Sequence, residues 1–434
     1  MIDVERIFNQ NPPFPLLPRA PLTLFEGPAT VIDDEGKAEI VARATATFDW
    51  FSGTQLVIEA ETPAMAYRDL RVEVEGLELQ GNMTTLKAAS NFPIDASASG
   101  GYRSVSKIDR AIRGDISASI SRLIVHLCNI EPVFLRGDDH SILVLDTDEW
   151  VIRIEEVEGA RDAFQSVRLS GGGTVTHLLI VEREDGAEFT YDTADGVVEG
   201  VRHLASFTFG RRIAFLLPTG ISAGGGSAFA IIGDPRRHNY TGGLPWFTNQ
   251  YSRSLAMVWH GFSELWADYR WRDALIVAME LYVDAHSGLP VETRLVVAQA
   301  ALELLSWQWL THHTSLSHSE REDLKADGRL RRVLEGIGAS NEIPGTLVPL
   351  RDALPSLDGP DAITRLRNSV AHPTAPDVIL RGETAVRFDA WRLALWYFDL
   401  IVFNICGFEG HYLNRTHDLP ISVWDVETPP WIGD

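Results

Sequence analysis

The sequence predicts an α+β multidomain protein, with an all-β, sandwich-like domain over residues 22–240 followed by an all-α bundle over 241–434. Three observations lead there. Short apolar runs and apolar/polar alternation dominate up to about residue 235, which is the pattern of strands. Beyond that point apolar residues recur at three- and four-residue spacing, and the change falls in Gly- and Pro-rich sequence between Gly233 and Pro245. A chain of 434 residues is also too long for one compact core.

The elements follow in order. Asn11-Pro12-Pro13-Phe14-Pro15 and Pro18 cannot continue a helix or a central strand, so residues 1–21 read as an extended, Pro-rich lead-in. Strands are expected at Gln55–Ala60, Leu70–Glu75, Leu123–Leu127, Ile142–Leu145, Trp150–Ile154 and Leu178–Val181. Breaks such as Gly171-Gly172-Gly173 between short strands favour antiparallel sheets over a βαβ array. One helix is expected near Asp195–Ser206. In the second half, Tyr269–Ala285 and Pro290–Leu310 have amphipathic spacing. Ser317 and Glu320 form a capping-box pattern that opens a third helix, which Gly336 and Gly338 close. A fourth begins at Pro360-Asp361, where proline suits the first turn, and must stop at His372 because Pro373 follows. Glu383–Cys406 reads as a long, strongly apolar last helix.

A formal net charge of -22 gives the chain no global positive field to attract nucleic acid, which excludes a general nucleic-acid coat. It leaves room for one local basic site, because screening confines such a field to about 10 Å. Cys128 and Cys406 each sit in an apolar run and read as buried free thiols of a reducing compartment. Met1–Arg6 opens no basic and apolar leader, and no run reaches the ~18 apolar residues of a membrane span. A cytoplasmic protein without a membrane partner is expected.

The segment Arg365-Leu366-Arg367-Asn368-Ser369-Val370-Ala371-His372-Pro373 holds the residue types that metal-independent RNA cleavage needs. Histidine exchanges protons near neutral pH, and arginine offers a permanent planar fork to a phosphate. The RNA 2′-hydroxyl can then serve as the internal nucleophile. Five helical positions turn about 500°, which sets Arg367 and His372 roughly 140° apart. Either the helix ends before His372, or each group meets partners from a second copy in a symmetric dimer.

This wording resembles the HEPN superfamily, whose hallmark is Arg, a polar residue, and His after four to six intervening positions, late in a small helical bundle. Arg367, Asn368 and His372 match it, and Ala301-Leu302-Glu303-Leu304-Leu305 is similar to a helix of the ApeA-type defence members. The resemblance covers roughly the last 150 to 170 residues. It implies a homodimeric endoribonuclease of toxin or abortive-infection type, acting on RNA without a metal or other cofactor. In it His372 is the general acid and base, Arg367 contacts the scissile phosphate and Asn368 orients one of them. The basic cluster Arg329, Arg331 and Arg332, extended by Arg351 and Arg365, reads either as a solvated face or as a rim that guides the RNA substrate beside the motif. The β-rich half is left to sense a phage or regulatory ligand. Two alternatives stay open: a non-catalytic dimeric HEPN protein that binds a partner or nucleotide, and a β-sandwich ligand-binding protein with a helical oligomerisation domain.

Other features read as structural. His312-His313 and His318 lack carboxylates or thiols at ligand spacing, and Asp138-Asp139-His140 follows Gly137 as a turn would. Ser222–Ser227 has the glycines of a phosphate loop without its Lys-Ser or Lys-Thr. Trp259, Trp266, Trp271, Trp307, Trp309, Trp391 and Trp396 recur at helical spacing, as core residues do.

Overall fold

The computed structural model describes residues 21–33, 39–60, 69–80, 85–87, 102–131, 142–238, 245–248, 253–372, 383–419, 421 and 425–433. The lead-in over 1–20, Asp138-Asp139-His140 and Pro373 lie outside them. The fold is mixed: a β-rich N-terminal half and a helical C-terminal region. Contacts divide it into two units, one comprising the described residues within Met1–Pro132, Asp148–Asp195 and Ala214–Tyr240, the other those within Val133–Thr147, Gly196–Ile213 and Thr241–Asp434.

The β-rich unit is built from two antiparallel sheets. In the first, β1 (Leu22–Asp33) and β2 (Glu39–Asp49) pair with Ala29 opposite Ala42, and β3 (Gly53–Ala60) continues the meander. The spatial order is β6-β4-β1-β2-β3-β7, with β4 at Asp69–Val74, β6 at Thr85–Lys87 and β7 at Tyr102–Lys107. In β3, Leu56, Ile58 and Ala60 are buried while Glu59 is exposed, so the alternation seen in the sequence is the two faces of one strand.

The second sheet runs β11-β12-β9-β13-β14-β8-β5. These are Trp150–Glu156, Val175–Arg183, Arg122–Cys128, Phe215–Ile221, Ser227–Gly233, Arg110–Gly114 and Glu78–Gln80. The short β10 (Ile142–Val144) belongs to the other unit. Val31, Ala44, Leu56 and Ile58 of the first sheet share one hydrophobic core with Ile124, Leu178 and Ile180 of the second. Ser222–Ser227 is the tight turn of the β13–β14 hairpin, closed by Ser222 N–H donating to Gly226 O at 2.9 Å.

Two helices interrupt the strands. The one expected near Asp195–Ser206 is α2 (Tyr191–Phe209). The other, α1 (Ala160–Ser170), departs from the all-β expectation for this half. Gly159 in the left-handed region and Gly171 bracket it, and Ala160, Ala163, Phe164 and Val167 form its buried stripe. It packs on β12, so that strand is buried almost throughout instead of alternating.

The helical unit contains α3 (Arg253–Ala267), α4 (Tyr269–Ala285), α5 (Val291–His313), α6 (His318–Asp323), α7 (Ala326–Gly336), α8 (Val348–Ala353), α9 (Gly359–Ala371) and α10 (Thr384–Ile405). The expected single helix from Ser317 to Gly336 is two. Ser317 and Glu320 do form the capping box, but Leu324 and Lys325 turn extended before α7 starts. Arg329 Nη1 donates to the Leu324 carbonyl at 2.9 Å, satisfying a backbone acceptor that a continuous helix would have used. The last helix α10 is buried on nearly every side and packs against α3, α5, α7, α8 and α9, as a helix apolar all round must. A hairpin of β15 (Tyr412–Leu413) and β16 (Val426–Glu427) follows it.

Helix α3 passes close to the C-cap of α10 at Gly261. A Cβ on Gly261 would lie 2.0 Å from the Cys406 carbonyl oxygen, a backbone atom that cannot swing aside. Gly261→Ala is therefore expected to cost about 3 kcal/mol, at the upper end of core overpacking, read as a lower midpoint of denaturant unfolding. An unchanged midpoint would mean that the two helices part without cost.

Candidate functional site

The site expected from the sequence sits on the last turns of α9. Asp358 caps the helix, its carboxylate accepting from Asp361 N–H at 2.9 Å, and Pro360 occupies the first turn. The helix ends where the sequence requires. His372 is its C-cap, at φ -131° and ψ 62°, and donates its N–H to the Asn368 carbonyl at 2.9 Å. Ala362 and Ile363 bury the inner face, and Gln299 of α5 donates to Thr364 Oγ1 at 3.1 Å.

Arg365, Asn368 and His372 are exposed, and Arg367 is half-buried. Arg367 Nη1 donates to Asn368 Oδ1 at 3.1 Å, and its Nη2 lies 3.8 Å from Glu303 of α5. Its Nε is enclosed and meets no acceptor among the described residues. Glu303 also lies 3.8 Å from Arg329 Nη2, so one carboxylate is shared by two guanidinium groups. One turn further along α5, Trp307 is half-buried between Arg321 and Arg329, at 5.4 and 5.7 Å from ring centre to guanidinium carbon. In the sequence Arg329 stands out only as a neighbour of Arg331 and Arg332. Its connection to Arg367 runs through Glu303, which no local spacing announces.

Arg331 is placed differently. Its fork donates to both oxygens of Asp358 at 2.7 and 3.1 Å, and Asp361 and Asp327 lie at 3.3 and 3.6 Å. The bond to Asp358 holds its guanidinium well above the usual pKa. Arg331 thus braces the start of α9, with its fork taken up by carboxylates. Arg332 is exposed beside Glu335 at 3.6 Å. Arg351 pairs with Asp352 at 3.2 Å.

Beside α9 lies a cavity of about 680 Å³, walled by α8, α9 and the first turn of α10, onto which Arg365, Leu366 and Ser369 open. The Ser369 hydroxyl donates to the Leu366 carbonyl at 2.6 Å. Among the described residues no cluster of three or more His, Cys, Asp or Glu side chains is present to hold a metal ion. His312 and His313 pack on Trp271 and Trp309. Trp259, Trp266, Trp271, Trp309, Trp391 and Trp396 are buried.

Residues 115–242 match the model of the YopA central domain, and residues 268–427, which include the whole of α9, match that of the YopA C-terminal domain. The chain is similar to YopA. The SPbeta prophage-derived uncharacterized protein YopA of Bacillus subtilis (strain 168) is 29% identical over 275 residues, covering 62% of this chain and 60% of that relative. The chain therefore spans about 60% of YopA's length. No solved structure matches.

Proposed function

We propose that the end of α9 is a metal-independent ribonuclease site of the HEPN type, completed when two copies of the chain associate through a helical bundle. The observation that carries this reading is the exposure of His372 at the end of a helix whose other face is fixed in the core. A buried imidazole could not reach a ribose-phosphate. In the reaction, one His372 takes the 2′-hydroxyl proton while the 2′-oxygen attacks phosphorus. The partner copy's imidazole returns a proton to the departing 5′-oxygen, leaving a 2′,3′-cyclic phosphate. Guanidinium groups stabilise the charge that builds on the phosphate oxygens.

The β-rich half, read as a sandwich, acts as the sensor that restrains this activity until a phage or regulatory ligand binds. A prophage-derived relative is in keeping with a cytoplasmic effector in conflicts between phage and host. Among the described residues no helix is long and apolar enough to cross a membrane.

His372→Ala should lower RNA cleavage by the purified chain in EDTA by about 10²- to 10⁴-fold, the usual contribution of a general acid-base. The exposed C-cap position leaves the fold intact, which circular dichroism checks. Cleavage that survives the substitution, or none by wild type under any activating condition, removes the site.

A second reading has its own observation. Arg367 is already engaged by Asn368 and Glu303, as a helix-bridging residue of a non-catalytic dimer or nucleotide-binding module would be. In that case the wild type dimerises without cutting RNA, and Glu303→Ala loosens the bundle.

A further inference from the structure

We infer, on the ribonuclease reading above, that the cavity between α8, α9 and α10 seats one unstacked nucleotide of single-stranded RNA, and that Arg365 is the arginine that grips its phosphate. Seven positions turn about 700°, so Arg365 and the Cα of His372, the C-cap just past α9, lie within about 20° of one another around the helix axis, whereas Arg367 is roughly 140° from it. Ser369 lies about 60° from His372 on the same side. Arg365 and Ser369, the two polar side chains of α9 that open onto the cavity, both lie within about 60° of His372 around the helix axis.

Arg365 is exposed and has no carboxylate partner among the described residues, so its fork is free to bind an anion bidentately. Arg367 is tethered to Asn368 and Glu303. Of the other charged groups at the cavity, Arg387 is engaged by Glu292 at 2.9 Å and Asp352 by Arg351, and Glu383 is an exposed carboxylate at the rim.

Val348, Pro349, Leu354 and Val386 offer an apolar surface of the kind a base plane covers, and the volume of about 680 Å³ lies within the range of about 300–1,000 Å³ for small-ligand sites. Ser369 spends its proton on the Leu366 carbonyl, which leaves its lone pairs to accept from a base N–H. A base can enter such a wall only when unstacked, which selects single strands over duplex. The overall charge of -22 does not oppose this, since the attraction acts within one Debye length of Arg365.

The test is fluorescence anisotropy of the full chain with a labelled single-stranded RNA carrying 2′-O-methyl groups, which cannot be cut. Arg365→Ala is expected to weaken Kd by about 10- to 100-fold, the worth of a charge-assisted bidentate contact. Ala385→Trp, which fills the cavity from an exposed position on the first turn of α10, should do the same. Arg272→Ala, an exposed arginine on α4, should leave Kd unchanged, and duplex RNA should compete poorly. Wild-type binding that is absent, indifferent to both cavity variants or equally strong for duplex overturns the subsite. Cleavage of unmodified RNA is scored separately. A chain that binds through Arg365 but cuts nothing keeps the subsite and removes the nuclease reading, whereas His372-dependent cutting with binding insensitive to Arg365 does the reverse.

Discussion

Asp399→Ala is expected to destabilise the helical unit by about 3–5 kcal/mol, because it strands a fully buried guanidinium without its counter-charge. Arg415, on the segment after α10, and Asp399, on α10, are both inaccessible to solvent, with Arg415 Nε 2.5 Å from Asp399 Oδ2. Tyr282 donates its hydroxyl to Asp399 Oδ1 at 2.8 Å and also meets Arg415 Nη2. Arg415 Nη1 lies 2.8 Å from His286 Nε2, and His286 Nδ1 lies 2.9 Å from the Tyr282 carbonyl.

Burial and the adjacent Arg415 push the His286 pKa well below its usual value, so the ring is neutral. A neutral ring that accepts at Nε2 must hold its proton at Nδ1, where it donates to the Tyr282 carbonyl. Burial raises the Asp399 carboxyl, and Arg415 and Tyr282 draw it back toward the ionised form. Every member of the network depends on the next. In a unit of this size the loss corresponds to a fall in Tm of about 10 °C. The double variant Asp399→Leu with Arg415→Met removes both charges together and should recover most of it. Thermal unfolding that shows the single and double variants equally damaged would mean that packing, not the uncompensated charge, sets the cost.

What could be read in advance follows the range of the interactions. Helices α4, α9 and α10 were legible because a capping residue, a proline in the first turn or after the last, and a steady apolar period are all local signals. The sequence alone places His372 at a helix end for this reason. The spacing Ala160, Ala163, Phe164 and Val167 was equally local, but α1 is short and set between strands, so punctuation outweighed period. The interruption at Leu324-Lys325 depends on Arg329 reaching back to a carbonyl, which residue spacing does not encode. The fate of Arg331 depends on Asp358, a partner 27 positions away, and that of Arg367 on Glu303 of another helix. Charge type could be read from the sequence, whereas pairing needed the fold. Arg365 falls under the same division: its place on the face of His372 follows from simple helical counting, whereas the absence of a carboxylate partner for its fork among the described residues needed the fold.

Lowering the pH from 7 to 5 is expected to cost the β-rich unit about 4 kcal/mol through His126 and His177 alone. His177 lies on β12, the strand that α1 covers, and is almost wholly buried, and its Nδ1 has no hydrogen-bond partner among the described residues. Burial pushes its pKa down to about 3. His126 on β9 keeps part of its surface in solvent while its Nδ1 is enclosed, and burial lowers it to about 4 against the opposing pull of the Leu216 and Leu217 backbone. Above about 6.5, the usual histidine value, folded and unfolded chains both hold neutral rings and the folded unit keeps its full stability. Between 6.5 and the folded values only the unfolded chain takes up protons, so stability falls as the pH falls, by about 2 kcal/mol for each ring at pH 5. His177→Leu, which suits an apolar strand position, should remove about half of that slope while leaving stability at pH 7 nearly unchanged or raised. Urea unfolding at pH 7, 6 and 5, followed by a probe in the β-rich unit, measures both slopes. A His177→Leu variant that keeps the full acid sensitivity would show that the His177 ring is already solvated in the folded protein and contributes nothing to the slope.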